Sequence, residues 1–166
     1  MRIIKLMALA ALMAMPNLAQ AADAAPSADT VRQVMSYYRD GNTVILVEAK
    51  LCKEIGKEGD TKSECVDEIT DGKVKKGDKA YVWLNFFVPG ENTDTRNVLI
   101  QFSSKGMVLQ SNQVHMKQTT RYRTWYLLPT GKDGDWDIAA SQEEAQDYVK
   151  IGGLKYSVEE AAPAAQ

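Results

Sequence analysis

The chain predicts an all-β fold: an antiparallel sandwich of two sheets, immunoglobulin-like in arrangement, preceded by a short N-terminal helix or arm. Three observations carry this. From Thr43 onward, short apolar or alternating runs recur about every ten residues, as in sandwiches. Each run is closed by a turn signal such as Asp71-Gly72, Pro89-Gly90 or Lys105-Gly106. Nothing alternates strand with helix as a parallel sheet requires, and no internal repeat is evident. A small closed β-barrel is the alternative architecture.

Taken in order, residues 1–21 read as a cleavable secretory signal peptide. Arg2 and Lys5 form a basic start, Leu6 to Met15 an apolar run, and Ala19-Gln20-Ala21 a small-x-small cleavage pattern. A permanent anchor needs about 20 apolar residues, so the run is too short to remain as a membrane span. The first cysteine is Cys52, so no lipid-anchor cysteine lies near the cut. Cleavage after about Ala21 removes Arg2 and Lys5, moving the formal charge from −2 to −4. The mature protein is thereby expected to be periplasmic or secreted, without a transmembrane anchor.

Residues 22–29 read as a disordered tether rich in small residues. In residues 30–40, Val31, Val34, Met35 and Tyr38 make one helical stripe ended by Gly41-Asn42, and so short a helix must pack on the domain. A single β-sandwich domain is expected over residues 30–158. Its strands are predicted at 43–49, 80–88, 97–103, 107–118, 120–128, 136–140, 148–151 and 154–158, with a disordered tail at 159–166.

Cys52 and Cys65 are the only cysteines. In an oxidising compartment an isolated pair reads as a disulfide. Redox chemistry favours a tighter C-x-x-C spacing, and metal ligation would need further ligands. The bridge closes a charged fourteen-residue loop, stabilising the fold by roughly 3 kcal/mol in the chain-entropy account.

No constellation names a reaction. The one histidine, His115, has no orienting carboxylate or nucleophile at a local spacing. Nucleophile-elbow, phosphate-loop and zincin motifs are absent. A carboxylate-based hydrolase remains as the enzymatic alternative. His115, Met107 and Met116 are weak candidates for copper, since imidazole and thioether suit that metal, but methionine more often fills core space. Asp133, Asp135 and Asp137 alternate, yet they do not make an EF-hand. A turn followed by a strand with Trp136 inward and the aspartates in water explains them. Nothing requires a cofactor, and no nucleic-acid partner is expected.

Charge is segregated along the chain. Between Asp94 and Asp133 there is no acidic residue, whereas Arg96, Lys105, Lys117, Arg121, Arg123 and Lys132 are all basic. The blocks at 53–71 and 133–160 are net acidic. The basic stretch could form a face for an anionic partner, or the blocks could interleave and neutralise one another; the second reading is favoured. In RYRTWYL, residues 121–127, one face carries Arg121, Arg123, Trp125 and Leu127, the other Tyr122, Thr124 and Tyr126. Burying the tyrosine face leaves an exposed Arg/Trp strip. Burying Trp125 and Leu127 is the more ordinary arrangement, with both arginines at the rim.

AYVWLNFFVPGE, VLIQFSSKG, RYRTWYLL and Gly134-Asp135-Trp136 together resemble the bacterial envelope domain-of-unknown-function family twenty-nine-fourteen, over residues 74–140. The resemblance implies an envelope sandwich and no activity. The functional expectation is a non-catalytic exported binding module. Its binding residues are taken as Arg121, Arg123, Trp125, Lys117 and Arg96, with the cysteine loop nearby. Its partner is a protein or an anionic envelope component such as a glycan or lipid headgroup.

Overall fold

The computed structural model describes residues 26–91 and 93–160. The expected signal peptide, half of the tether and most of the expected tail therefore lie outside the described residues. A helix, α1 (Ala28–Asp40), precedes nine strands: β1 (Ile45–Ile55), β2 (Cys65–Glu68), β3 (Lys73–Lys75), β4 (Tyr81–Val88), β5 (Thr95–Ser104), β6 (Met107–Lys117), β7 (Thr119–Leu127), β8 (Gly134–Glu144) and β9 (Asp147–Glu159). They form two sheets, β2-β1-β4-β7 and β3-β9-β8-β5-β6, each with free edges, so the fold is an all-β sandwich and not a closed barrel. All pairings are antiparallel except that of β3 with β9.

The alternation of β4 explains the core. Val82, Leu84, Phe86 and Val88 all point inward and are fully buried. They meet Val98, Ile100 and Phe102 of β5, Trp136, Ile138 and Ala140 of β8, and Tyr156 and Val158 of β9 in one apolar cluster. Removing this much apolar surface from water is the main stabilising term of the sandwich. Gln142, buried among these strands, holds the start of β1: Val44 N–H donates to its Oε1 at 2.6 Å, and its Nε2 donates to the Asn42 carbonyl at 2.8 Å.

The run at 80–88 is apolar on both faces because both faces are covered. On the outer face of the four-stranded sheet, Phe87 lies under the end of α1, with Tyr38 edge-on at 5.4 Å and Tyr37 stacked at 6.2 Å. At the other end, Trp83 is buried beneath the cysteine loop with Cys52 and Ile55. The fold is thus two layers with a partial third.

Several boundaries move. Ser27 caps α1, its side chain accepting from Thr30 N–H, so Ala28 and Asp29 belong to the helix and not to a tether. Of the apolar stripe only Tyr38 packs; Val31, Val34 and Met35 stay exposed, because the helix is tied down at its last turn. There the Tyr38 carbonyl accepts from Gly90 N–H and Gln118 Nε2. Strand β1 runs on to Ile55 through the first cysteine, and the two last predicted strands are one, β9. Glu159, placed in the tail by sequence, ends β9 and pairs with Lys73 at 2.5 Å.

Candidate functional site

The outer face of the four-stranded sheet carries the site, and the cysteine loop builds half of it. Cys52 and Cys65 are disulfide-bonded, their Cα atoms 5.6 Å apart. The bridge ties the neck of the loop, where β1 and β2 also pair through Ile55–Cys65 and Glu54–Val66. Beyond the neck, Gly56 N–H donates to the Glu64 carbonyl and Ser63 N–H to the Gly56 carbonyl, folding the loop on itself. Gly56 is required here because a β-carbon would sit 1.9 Å from the Thr61 carbonyl oxygen.

Three side chains of the sheet hold the loop down on it. Trp83 Nε1 donates to the Ser63 carbonyl at 2.8 Å. Arg121 pairs with the Glu64 carboxylate at 2.7 Å, and Arg123 pairs with the same oxygen while also donating to the Lys62 carbonyl. One carboxylate therefore holds two guanidiniums. Because these groups are partly exposed, solvent weakens each pair, and the arrangement orders the loop more than it stabilises the fold.

Strand β7 settles the facing left open by sequence. Its register with β4 sets Tyr122 opposite Phe86 and Tyr126 opposite Val82, on the core side, with the Phe102 and Tyr126 rings edge-to-face at 6.4 Å. Arg121, Arg123, Trp125 and Leu127 therefore lie on the outer face. The more ordinary arrangement, with Trp125 and Leu127 buried, is overturned: they are 39% and 52% exposed. The reason is the partner strand, since the β4 residues facing Tyr122, Thr124 and Tyr126 are Phe86, Leu84 and Val82, all in the core.

Trp125 stands as a ridge between two open hollows. The first, of about 550 Å³, is lined by Lys53, Lys57, Lys62 and Lys79 with Glu54, Tyr81 and Trp125. Lys79 Nζ sits 5.7 Å from the Tyr81 ring centre, and Lys53 pairs with Asp67 at 3.2 Å. Among the described residues Lys57, Lys62 and Lys79 form no ion pair. The second hollow, of about 630 Å³, gathers Lys117, Arg121, Arg123 and Trp125 with His115 and Ser63. Lysines thus flank an exposed indole on both sides, an arrangement suited to an anionic ligand with a flat apolar face.

Four of the five sequence-derived binding residues meet in the second hollow. Arg96 does not: it stands near the start of β5, opposite Met116 and on the same side of the strand as the core residue Val98, its guanidinium bonded to Asn42 and Asp94 at 3.3 and 3.4 Å. The lysines of the first hollow were missed, because Lys79 reaches Trp125 only through the pairing of β4 with β7. The signal was the apolar outward position of Trp83, which demanded a cover.

The metal candidates do not converge. Met116 is fully buried in the core, His115 faces outward, and Met107 lies at the far end of β6, about 26 Å along an extended strand. His115 Nδ1 is instead 2.6 Å from Asn97 Oδ1, and Asn97 Nδ2 donates to Glu143. Among the described residues no group of three or more acidic, cysteine or histidine side chains could hold a metal ion. Trp136 is buried, while Asp133 and Asp135 face solvent and Asp137 lies near Lys150 and Lys155 at 3.9 and 4.0 Å. No helix among the described residues is long and apolar enough to cross a membrane.

No protein-family model matches the chain, and no curated protein matches it. Among solved structures it is similar to the crystal structure of the C-terminal domain of wzt, at 7% identity and a TM-score of 0.47. The match covers 72% of this chain and 75% of that one, a likeness too distant to bear on function.

Proposed function

We propose that the protein is an exported, non-catalytic binding module that holds an anionic envelope ligand on the outer face of its four-stranded sheet. The observation that carries the reading is Trp125, an exposed indole between two hollows in which cationic side chains outnumber carboxylates. Export to an oxidising space, and a place in the envelope like that implied by the family resemblance, belong to the same proposal. The Cys52–Cys65 bridge and the leader-like residues 1–21 support it.

The sequence pointed to three arginines and Lys117, but the arrangement favours lysines as the ligand-facing charges. Arg121 and Arg123 are already engaged by Glu64, whereas Lys57, Lys62, Lys79 and Lys117 form no ion pair among the described residues. Retention of residues 22–166 on immobilised dextran sulfate, against uncharged dextran, tests this. The protein should bind the sulfated matrix and elute with salt, and Trp125→Ala or combined Lys57→Gln, Lys62→Gln and Lys79→Gln should elute earlier. Equal elution of these variants and the parent would remove the reading.

A further inference from the structure

Resting on that reading, we propose that the ligand is a linear acidic polysaccharide, laid across both hollows with one sugar ring stacked on Trp125. The free cations are not gathered at a point. Lys57, Lys62 and Lys79 lie on one side of the indole and Lys117 on the other. Along β7, Leu127, level with Tyr81, stands eight residue steps from Thr119 in the second hollow. That is a run of about 27 Å in an extended strand.

A compact anion such as phosphate, free or on a lipid, would be served by one hollow and would leave the other cations unused. An acidic peptide matches the spacing of charge, but it presents a ring to Trp125 only where an aromatic residue or proline falls at that point, whereas every sugar of a polysaccharide carries one. A chain of sugars, each with an apolar C–H face and a carboxylate, uses all three features. Tyr81, half-buried in the lining of the first hollow beside Lys79, offers a second ring for the same chain. Engaging the second hollow then becomes an intramolecular event, so affinity should climb with ligand length.

Intrinsic fluorescence reads this directly. Trp83 and Trp136 are 2% and 4% exposed, so iodide quenching reports chiefly on Trp125, at 39%. The probes are oligogalacturonates of two and six sugars, neutral oligosaccharides of the same lengths, inorganic phosphate, and phosphatidylglycerol vesicles. The six-sugar acid should bind at least about tenfold tighter than the two-sugar acid and shield Trp125 from iodide. Neutral sugars, phosphate and vesicles should do neither at matched concentration. Lys79→Gln and Lys117→Gln, one from each hollow, should each weaken the six-sugar acid several-fold and erase most of its advantage over the two-sugar acid.

Length-independent binding of the acids, or tighter binding of vesicles or phosphate, overturns the polysaccharide assignment. If the protein still binds dextran sulfate through Trp125 in that case, the broader anion-binding reading stands. Loss of both results removes the two together.

Discussion

Replacing both Cys52 and Cys65 by Ala tests how the loop is held. The bridge closes fourteen residues, and chain entropy alone gives a loss of about 3 kcal/mol. Two structural terms adjust that figure. The Ile55–Cys65 and Glu54–Val66 pairings still close the neck and retain part of the order, whereas loss of the fully buried Cys52 sulfur leaves a small void. A net loss of about 2–3 kcal/mol follows, lowering the thermal midpoint of a domain this size by roughly 10 °C. The assay is thermal and urea unfolding combined with amide hydrogen exchange. The amides of Gly56, Lys62, Ser63 and Glu64, bonded within the loop, should exchange much faster, while those of β5 should follow only the global loss. Trp83 should become quenchable as its cover loosens. A midpoint shift below about 3 °C, or equal acceleration in loop and β5, would refute the claim that the disulfide secures the loop on the sheet.

Three further outcomes follow, two from the loop contacts and one from the core. Glu64→Gln should lower the urea midpoint modestly, by about 1 kcal/mol or less because the pairs are partly exposed, yet strengthen retention on dextran sulfate by freeing Arg121 and Arg123. Gly56→Ala should unseat the loop by forcing the Thr61 carbonyl away, giving fast exchange at Ser63 and Glu64 and weaker anion binding with the β5 amides little changed. Burial pushes the Tyr156 phenol well above its ordinary value, and that of Tyr126 in the same direction. The unfolded chain therefore releases these protons first: the stabilisation is complete below about pH 10 and is lost as pH rises further. Tyr156→Phe should cost about 1 kcal/mol near neutral pH through the bond to the Pro129 carbonyl, and flatten the alkaline fall measured by urea midpoints.

The strands were legible because burial in a sandwich imposes a two-residue period, and runs such as 97–103 keep it cleanly. Strand β3 was not: three residues, Lys73 to Lys75, hold only Val74 in the core, too short a run to show a period. The facing of β7 was undecidable locally, since Trp125 and the tyrosines carry comparable apolar area on opposite sides. Only the register with β4 decides it. The same applies to the site. The basic residues of β7 could be picked out along the chain, but their pairing with Glu64 depends on a loop folding over from more than fifty residues away. The preference for interleaved charge blocks was correct at that point, and the free lysines are what the interleaving leaves over.

The cysteine loop separates two kinds of change. Its neck is fixed by a covalent bond and strand pairing, and Ser63 by the Trp83 indole, so none of these depends on the side chains at the tip. Lys57, Glu58, Asp60 and Lys62 are exposed there and contribute nothing to the core. Substitutions among them can redraw the charge of the first hollow while the sandwich stays as it is. In the proposed binding role, selectivity is therefore free to diverge faster than the fold, and a designer could exchange the tip as a cassette.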